Sequence, residues 1–260
     1  MADSRGLRRE RRRTNERASK GMGKFWLGLA AAVFYPLTKL LARTKLLGLT
    51  NVPAEGPALL VLNHVSHLDP AYDAVMVHKA GRVPRFLAKS TLWNVPVFKR
   101  VLTGVQQIPV YRGTADARKS LVEADKALGE GKLVLIYPDG TVTKDPQGWP
   151  MSPRVGVARL ALDHDVPVVP VARWGTNRIY DHYAKKFRPL PRKQVTYAFG
   201  EPVDLSAYRG RERDNAMLRE VADLTMSRVR DLLADIRQET APAHFQSPAR
   251  KSAGANDESS

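Results

Sequence analysis

From residue 58 onward, short unbroken apolar runs alternate with stretches whose apolar positions recur every three to four residues. Apolar runs of four to eight residues bounded by turn formers read as buried strands, and the longer spacing reads as amphipathic helix. The pattern predicts strands over residues 58–62, 85–88, 107–111, 133–137, 168–171 and 195–199. It predicts helices over 70–78, 96–102, 115–128, 155–163 and 214–236. Thr114 is placed to cap the third helix, and Gly129 and Gly131 to stop it. The last helix sets Leu218, Val221, Thr225, Val229, Leu232 and Ile236 on one stripe, a packing face. No internal repeat interrupts the alternation. It predicts an α/β fold with a mostly parallel central sheet flanked by helices.

The first apolar segment does not fit this rhythm. Residues 25–37 are nearly all apolar and carry Phe25, Trp26, Phe34 and Tyr35. As a helix they reach about 20 Å, short of the roughly 30 Å hydrocarbon core. Pro36 and Lys39 are expected to interrupt any extension. Three readings are open: a core helix, a secretory signal peptide, and an N-terminal helix lying in the membrane interface. No small-residue cleavage site follows, which disfavours the signal peptide.

Charge bears on the choice. The 260 residues carry a net charge of +16. Residues 1–24 hold nine Arg and Lys against three acidic residues and almost no large apolar side chain. Such a tail is expected to be disordered when free and to favour anionic surfaces, nucleic acid or membrane. Beside an apolar helix it favours lipid headgroups. The expected organisation is a basic tail over 1–24, a membrane-interface helical segment over 25–44, a domain over 45–238 and a disordered Ala/Ser/Pro-rich tail over 239–260. Hydrophobic content of 43% is ample for a packed core. The absence of cysteine excludes disulfides, thiolate metal sites and a cysteine nucleophile.

Candidate chemistry concentrates between the first strand and its helix, at Asn63-His64-Val65-Ser66-His67-Leu68-Asp69-Pro70. A neutral imidazole there can accept a proton from a hydroxyl, while a carboxylate fixes its tautomer and stabilises the imidazolium. Asp69 before Pro70 also has a purely structural reading, an N-cap followed by the first helical residue. Ser66 lacks the Gly-x-Ser-x-Gly elbow of a nucleophile. His64, His67 and Asp69 lack a further acidic or histidine cluster to complete a metal shell. His67 is expected to face solvent or to pack.

Later segments fall in a telling order. Asn63, His64, Ser66 and Asp69 fit Asn-His-x-Ser-x-x-Asp. Ala88-Lys89 follows about two dozen residues on. Gly104 to Arg112 is a glycine leading through an apolar strand to an arginine. Tyr137-Pro138-Asp139-Gly140-Thr141-Val142-Thr143 partly fits Phe-Pro-Glu-Gly-Thr-Arg-Ser. Arg154-Val155-Gly156 and the run from Val166 to Val171 complete the series. Over roughly residues 45–205 the chain resembles the lysophospholipid (glycerophospholipid) acyltransferase family, in particular its bacterial 1-acylglycerol-3-phosphate acyltransferases.

The resemblance implies a catalytic pair, His64 and Asp69. It implies substrate binding by Asn63, Ser66, Lys89, Arg112, Asp139, Gly140, Thr141 and Arg154. The implied co-substrate is acyl-CoA or acyl-carrier protein, with no cofactor and no metal. The implied acceptor is a lysophospholipid, lysophosphatidic acid first, on an anionic membrane surface, with no nucleic-acid partner. Peripheral attachment to the cytoplasmic face of the cytoplasmic membrane is expected, because a basic tail on a spanning helix would send the domain away from a cytosolic donor. Three positions depart from the pattern: Asp139 for Glu, Val142 for Arg and Arg154 for Lys. Arg154 keeps the charge and adds a fork suited to phosphate. Val142 removes a cation. Two alternatives therefore stay open: an acyltransferase for glycerol 3-phosphate or a glycolipid, and a non-catalytic basic protein binding membrane or nucleic acid. Trp149 and Trp174 either line an acyl groove or pack.

Overall fold

The computed structural model of the chain describes residues 23, 25–110 and 116–246. The basic tail apart from Gly23, the expected cap Thr114, the candidate Arg112 and residues 247–260 lie outside the described residues.

Seven strands form one sheet in the order β1 (Ala42–Leu47), β9 (Lys193–Phe199), β6 (Val168–Trp174), β2 (Ala58–Leu62), β5 (Leu133–Ile136), β3 (Pro84–Lys89) and β4 (Ile108–Val110). Strands β6, β2, β5, β3 and β4 run parallel. β9 is antiparallel to β6, and β1 is parallel to β9. The central strands β2 and β5 are buried at every residue, which is why they read as unbroken apolar runs. β1 escapes the pattern reading. It is an edge strand with alternating burial, and Arg43 and Lys45 break its apolar run. It also crosses the expected boundary between residues 44 and 45.

Helices cover both faces. On one side α4 (Asp116–Gly129), α5 (Gly156–Asp163) and α7 (Asn215–Arg237) pack on Leu59, Val61, Val134 and Ile136. α4 stops where expected, with Gly131 at φ 77° donating its N–H to Leu128. On the other side α2 (Asp69–Lys79) packs Tyr72, Val75 and Met76 on Leu60, Leu62, Leu133 and Leu135.

The N-terminal helix also joins this second face. It spans residues 25–41, running through Pro36 and Lys39 rather than stopping at them. Packing overrides the local breaker: Phe34 and Tyr35 lie against the core, and buried Thr38 donates its hydroxyl to the Phe34 carbonyl at 2.7 Å. The Tyr35 hydroxyl meets His78 Nδ1 at 2.8 Å, and Trp26 packs on Gly104 at the end of α3 (Pro96–Gly104). The opposite stripe, Phe25, Leu29, Val33, Leu37 and Leu40, stays exposed, with Phe25 at 65%. We label this helix α1; it is divided lengthwise between a core face and an unburied apolar face.

The other difference is at the far end. Residues 239–246, expected as part of a disordered tail, lie on the body of the fold. Gln246 pairs with Met151, its carbonyl accepts from Ser152 N, and Phe245 packs on the α7 side. Leu, Ile and Val are scarce there, so the sequence pattern gives little sign of one anchoring phenylalanine.

One turn fixes the geometry between β6 and the short helix α6 (Thr176–Ile179). Gly175 has φ 115°, and a Cβ there would lie 2.1 Å from the Gln194 carbonyl. Gly175→Ala is expected to lower stability by about 1–3 kcal/mol from backbone strain alone. A fall in the thermal midpoint checks this; an unchanged midpoint refutes the strain.

Candidate active site

The carboxyl ends of β2, β5 and β6 converge, the usual place for a site in a parallel sheet. β2 is followed by Asn63, which is fully buried. Its side-chain NH2 donates to the Arg173 carbonyl at 2.9 Å, and its Oδ1 accepts from Arg173 N at 2.8 Å. The side chain thus extends the β2–β6 pairing one step past Leu62 and Val171. This clamps the loop and engages both polar atoms of the amide with backbone, a structural role in place of the binding role expected for it.

His64 follows, with its side chain 12% exposed. Its Nδ1 lies 2.7 Å from Asp69 Oδ2. An ionised carboxylate only accepts, so Nδ1 carries the proton and the Nε2 lone pair is left as the basic atom. Among the described residues none hydrogen-bonds Nε2. The Tyr137 ring stacks on the imidazole at 4.4 Å with planes 14° apart. The exposed His67 packs edge-on against His182, from the turn between β7 (Tyr180–Asp181) and β8 (Lys186–Phe187). Among the described residues, no group of three or more His, Cys, Asp or Glu side chains is arranged to hold a metal ion.

Asp69 is fully buried and heavily bonded. Its Oδ2 also accepts from Val65 N at 2.7 Å and Ser66 N at 2.8 Å, and its Oδ1 from the Thr176 hydroxyl at 2.5 Å. It therefore caps the loop behind it and not the helix ahead: the α2 cap position is Leu68, which has no side-chain bond. Arg173 Nη2 lies 2.6 Å from Asp69 Oδ2. Burial alone would raise the Asp69 pKa. The charge of Arg173 and the bonds from His64 and Thr176 outweigh burial and hold it below the usual carboxylate value. Ser66 is also buried, its hydroxyl donating to the Tyr180 carbonyl at 2.8 Å. It ties the loop to β7 and does not present a nucleophile.

The loop after β5 carries the next group. Thr143 N donates to the His64 carbonyl at 2.7 Å, which joins this loop to the histidine loop. Gly140, at φ 70°, lies against the exposed Arg154: a Cβ there would meet Arg154 Nε at 2.6 Å. Thr141 is half-buried and Lys89 stands exposed at the end of β3. Gly140 and Arg154 are thus brought together, and Lys89, Thr141 and Arg154 keep exposed surface. Val142 points into the core, and its carbonyl accepts from the Tyr183 hydroxyl. Trp149 and Trp174 do not form a groove. They sandwich the Arg237 guanidinium at 4.0 Å and 4.1 Å, fastening the end of α7.

Asp139 differs most from its expected role. It is buried, its Oδ1 accepts from Met151 N at 3.1 Å, and its Oδ2 has no partner. Burial pushes its carboxyl well above the usual range, only partly offset by the N–H groups of Met151 and His64. A raised folded pKa means that stability is lost as pH rises from the unfolded carboxylate value toward the folded one. Asp139→Asn should remove that loss. Relative to the parent chain its thermal midpoint should rise by about 2–5 °C at pH 8 and change little at pH 4. An increased KM for the acceptor would instead return Asp139 to the substrate pocket.

Two residues of the buried cluster behind the site were missed by pattern reading, Asp73 and Arg173. Asp73 sits one helical turn after Asp69, on the same face of α2. Arg173 is a lone cation near the end of the otherwise apolar strand β6.

A family model described as acyltransferase matches residues 43–174. The chain belongs to the acyltransferase family. It is 28% identical to a 1-acyl-sn-glycerol-3-phosphate acyltransferase of Limnanthes douglasii over 149 residues, 56% of this chain and 50% of that protein. It is 27% identical to a protein of the same description from Borreliella burgdorferi, over 51% of this chain and 52% of that one. A bovine "DGAT1/2-independent enzyme synthesizing storage lipids" is 27% identical over 63% of this chain and 50% of its own length. The chain thus spans about half the length of these curated relatives. The fold is that of the crystal structure of the 1-acyl-sn-glycerophosphate (LPA) acyltransferase of Thermotoga maritima. The TM-score is 0.61 at 23% identity, over 88% of this chain and 85% of that one.

Proposed function

We propose that the protein transfers a fatty acyl group from acyl-CoA or acyl-carrier protein to the free hydroxyl of lysophosphatidic acid, giving phosphatidic acid. The observation that carries this is the His64 Nδ1–Asp69 contact at 2.7 Å, with Nε2 unbonded by any described residue. Nε2 takes the proton of the acceptor hydroxyl as its oxygen attacks the thioester carbonyl. A C–O bond forms, the C–S bond of the tetrahedral intermediate breaks, and the imidazolium returns the proton to the leaving thiolate. Asp69 holds the ring and stabilises its charged form throughout. No acyl-enzyme is required, consistent with a buried Ser66 and a chain without cysteine. Lys89 and Arg154, with Arg112, supply the cationic contacts for the acceptor phosphate. The membership of the acyltransferase family and the descriptions of its relatives support this reading.

A second reading rests on Val142 and Asp139. Both are buried, so neither a cation nor a free carboxylate stands at those positions, and an acceptor other than lysophosphatidic acid is favoured to that extent. One assay separates the two. Labelled acyl-CoA is offered with lysophosphatidic acid, glycerol 3-phosphate, a glycolipid and a neutral acylglycerol. Preference for lysophosphatidic acid supports the first reading, preference for another acceptor the second, and no transfer to any of them the non-catalytic alternative.

The acceptor's location points to how the protein meets it. Among the described residues no helix is long and apolar enough to cross a membrane. The exposed stripe of α1 suits a helix seated in the membrane interface on the cytoplasmic face, with the basic tail on anionic headgroups. α3 also exposes Val97, at 67%, and Phe98, next to Lys99 and Arg100. The variant Leu29→Glu with Val33→Glu should bind anionic vesicles at least about tenfold more weakly, because two apolar side chains lose burial worth about 1.5–3 kcal/mol each. Since both side chains face away from the core, the thermal midpoint should not move. Unchanged vesicle binding in co-sedimentation rejects this membrane contact.

A further inference from the structure

Behind the His64–Asp69 pair lies a closed ring of contacts that the acyl-transfer mechanism above does not use. Arg173 is wholly buried. Its Nη2 lies 2.6 Å from Asp69 and 2.6 Å from the Asn63 carbonyl, and its Nη1 lies 2.5 Å from Asp73. Asp73 accepts from the Tyr137 hydroxyl at 2.5 Å and from the Tyr197 hydroxyl at 2.7 Å. The Tyr137 ring then returns to stack on His64. Two carboxylates one turn apart on α2 therefore share one guanidinium from β6. Tyrosines from β9 and the end of β5 close the ring.

A packing role alone does not explain this composition. Two buried anions facing one cation leave the cluster one negative charge in excess, and burying an unmatched charge is expensive. The imidazolium that His64 forms on taking the acceptor's proton is the cation in contact with the cluster that this excess favours. We propose that Arg173 and Asp73 are positioning residues for the acyl transfer: Arg173 orients Asp69, and Asp73 divides the charge of Arg173 so that Asp69 keeps its hold on the His64 imidazolium. This rests on the reading of His64 as the proton acceptor. The other groups facing His64 are Tyr137 and His67, with the Asp139 carboxyl on its backbone N–H. Those facing Asp73 are Asp69, Arg173, Tyr137 and Tyr197. Burial raises Asp73 above the usual carboxylate range despite Arg173, with the charge of Asp69 adding to the rise, as expected for an excess anion.

The test reads the imidazole directly. The His64 ring resonances of the full chain are titrated by NMR in the parent, Asp73→Asn and Tyr197→Phe, beside the pH profile of kcat/KM. In Asp73→Asn the full positive charge of Arg173 falls on Asp69, so imidazolium is less stabilised. The titration midpoint and the acidic limb of the profile should move to lower pH by about half a unit to one unit. Tyr197→Phe removes one donor to Asp73 without touching His64. Asp73, relieved of that donor, draws harder on Arg173, so both should move by less and to higher pH, and this variant decides the matter if Asp73→Asn does not fold. A midpoint unchanged in either variant, or moved against these directions, with only the thermal midpoint lowered, overturns the proposal and leaves the ring a packing device. The ring titration is independent of turnover. Transfer that survives His64→Ala would refute the catalytic reading without altering what the titration says about the ring.

Discussion

His64→Ala is expected to reduce acyl transfer by about 10²–10⁴-fold while leaving the fold intact, the range a positioned general base contributes. The side chain is at the mouth of the site and Asp69 keeps three other partners besides Arg173, so little packing is lost. Steady-state rates with labelled acyl-CoA, beside circular dichroism and thermal unfolding, check both halves. The loss should fall on kcat, because the proton is transferred in the transition state and not on binding. Transfer at the parental rate would remove His64 from the mechanism.

Arg173→Met should give the largest loss of stability of any single substitution considered, about 3–5 kcal/mol, because two buried carboxylates lose their shared counter-ion. For a domain of this size that lowers the thermal midpoint by roughly 6–20 °C. The pH dependence carries the sign. In the parent, Asp69 is held below its unfolded pKa, so its stabilisation is present above that value and lost as pH falls through the folded one. In the variant, burial is opposed only by the remaining hydrogen bonds, so the carboxylates are raised relative to the parent and the penalty grows as pH rises. The difference between the two proteins should be greatest near neutral pH and shrink toward pH 4. A constant difference across pH would show that lost packing, not charge, is responsible.

Much of the architecture is legible from the pattern because the sheet is mostly parallel and covered on both sides. Strands β2 and β5 must be apolar at every position, and their helices must carry apolar stripes. β1 is not legible, since an edge strand half in water tolerates Arg43 and Lys45. The extent of α1 is not legible either. Pro36 is a local breaker, and only contact of Phe34, Tyr35 and Thr38 with the core carries the helix past it.

The site divides in the same way. His64 and Asp69 are five residues apart across one turn, so their contact is a local property and the sequence by itself determines it, along with the order of strands and helices. Arg173 is about a hundred residues from the carboxylates it joins, and only the adjacency of β6 to β2 decides that meeting. Tertiary structure also decides that Asn63, Ser66 and Asp139 turn inward, whereas Lys89 and Arg154 remain at the surface. Polar residue types alone cannot tell these fates apart, because a buried hydrogen-bonded group and a ligand-binding group need the same atoms. What separates them is whether a neighbouring strand or loop has already taken the bonds.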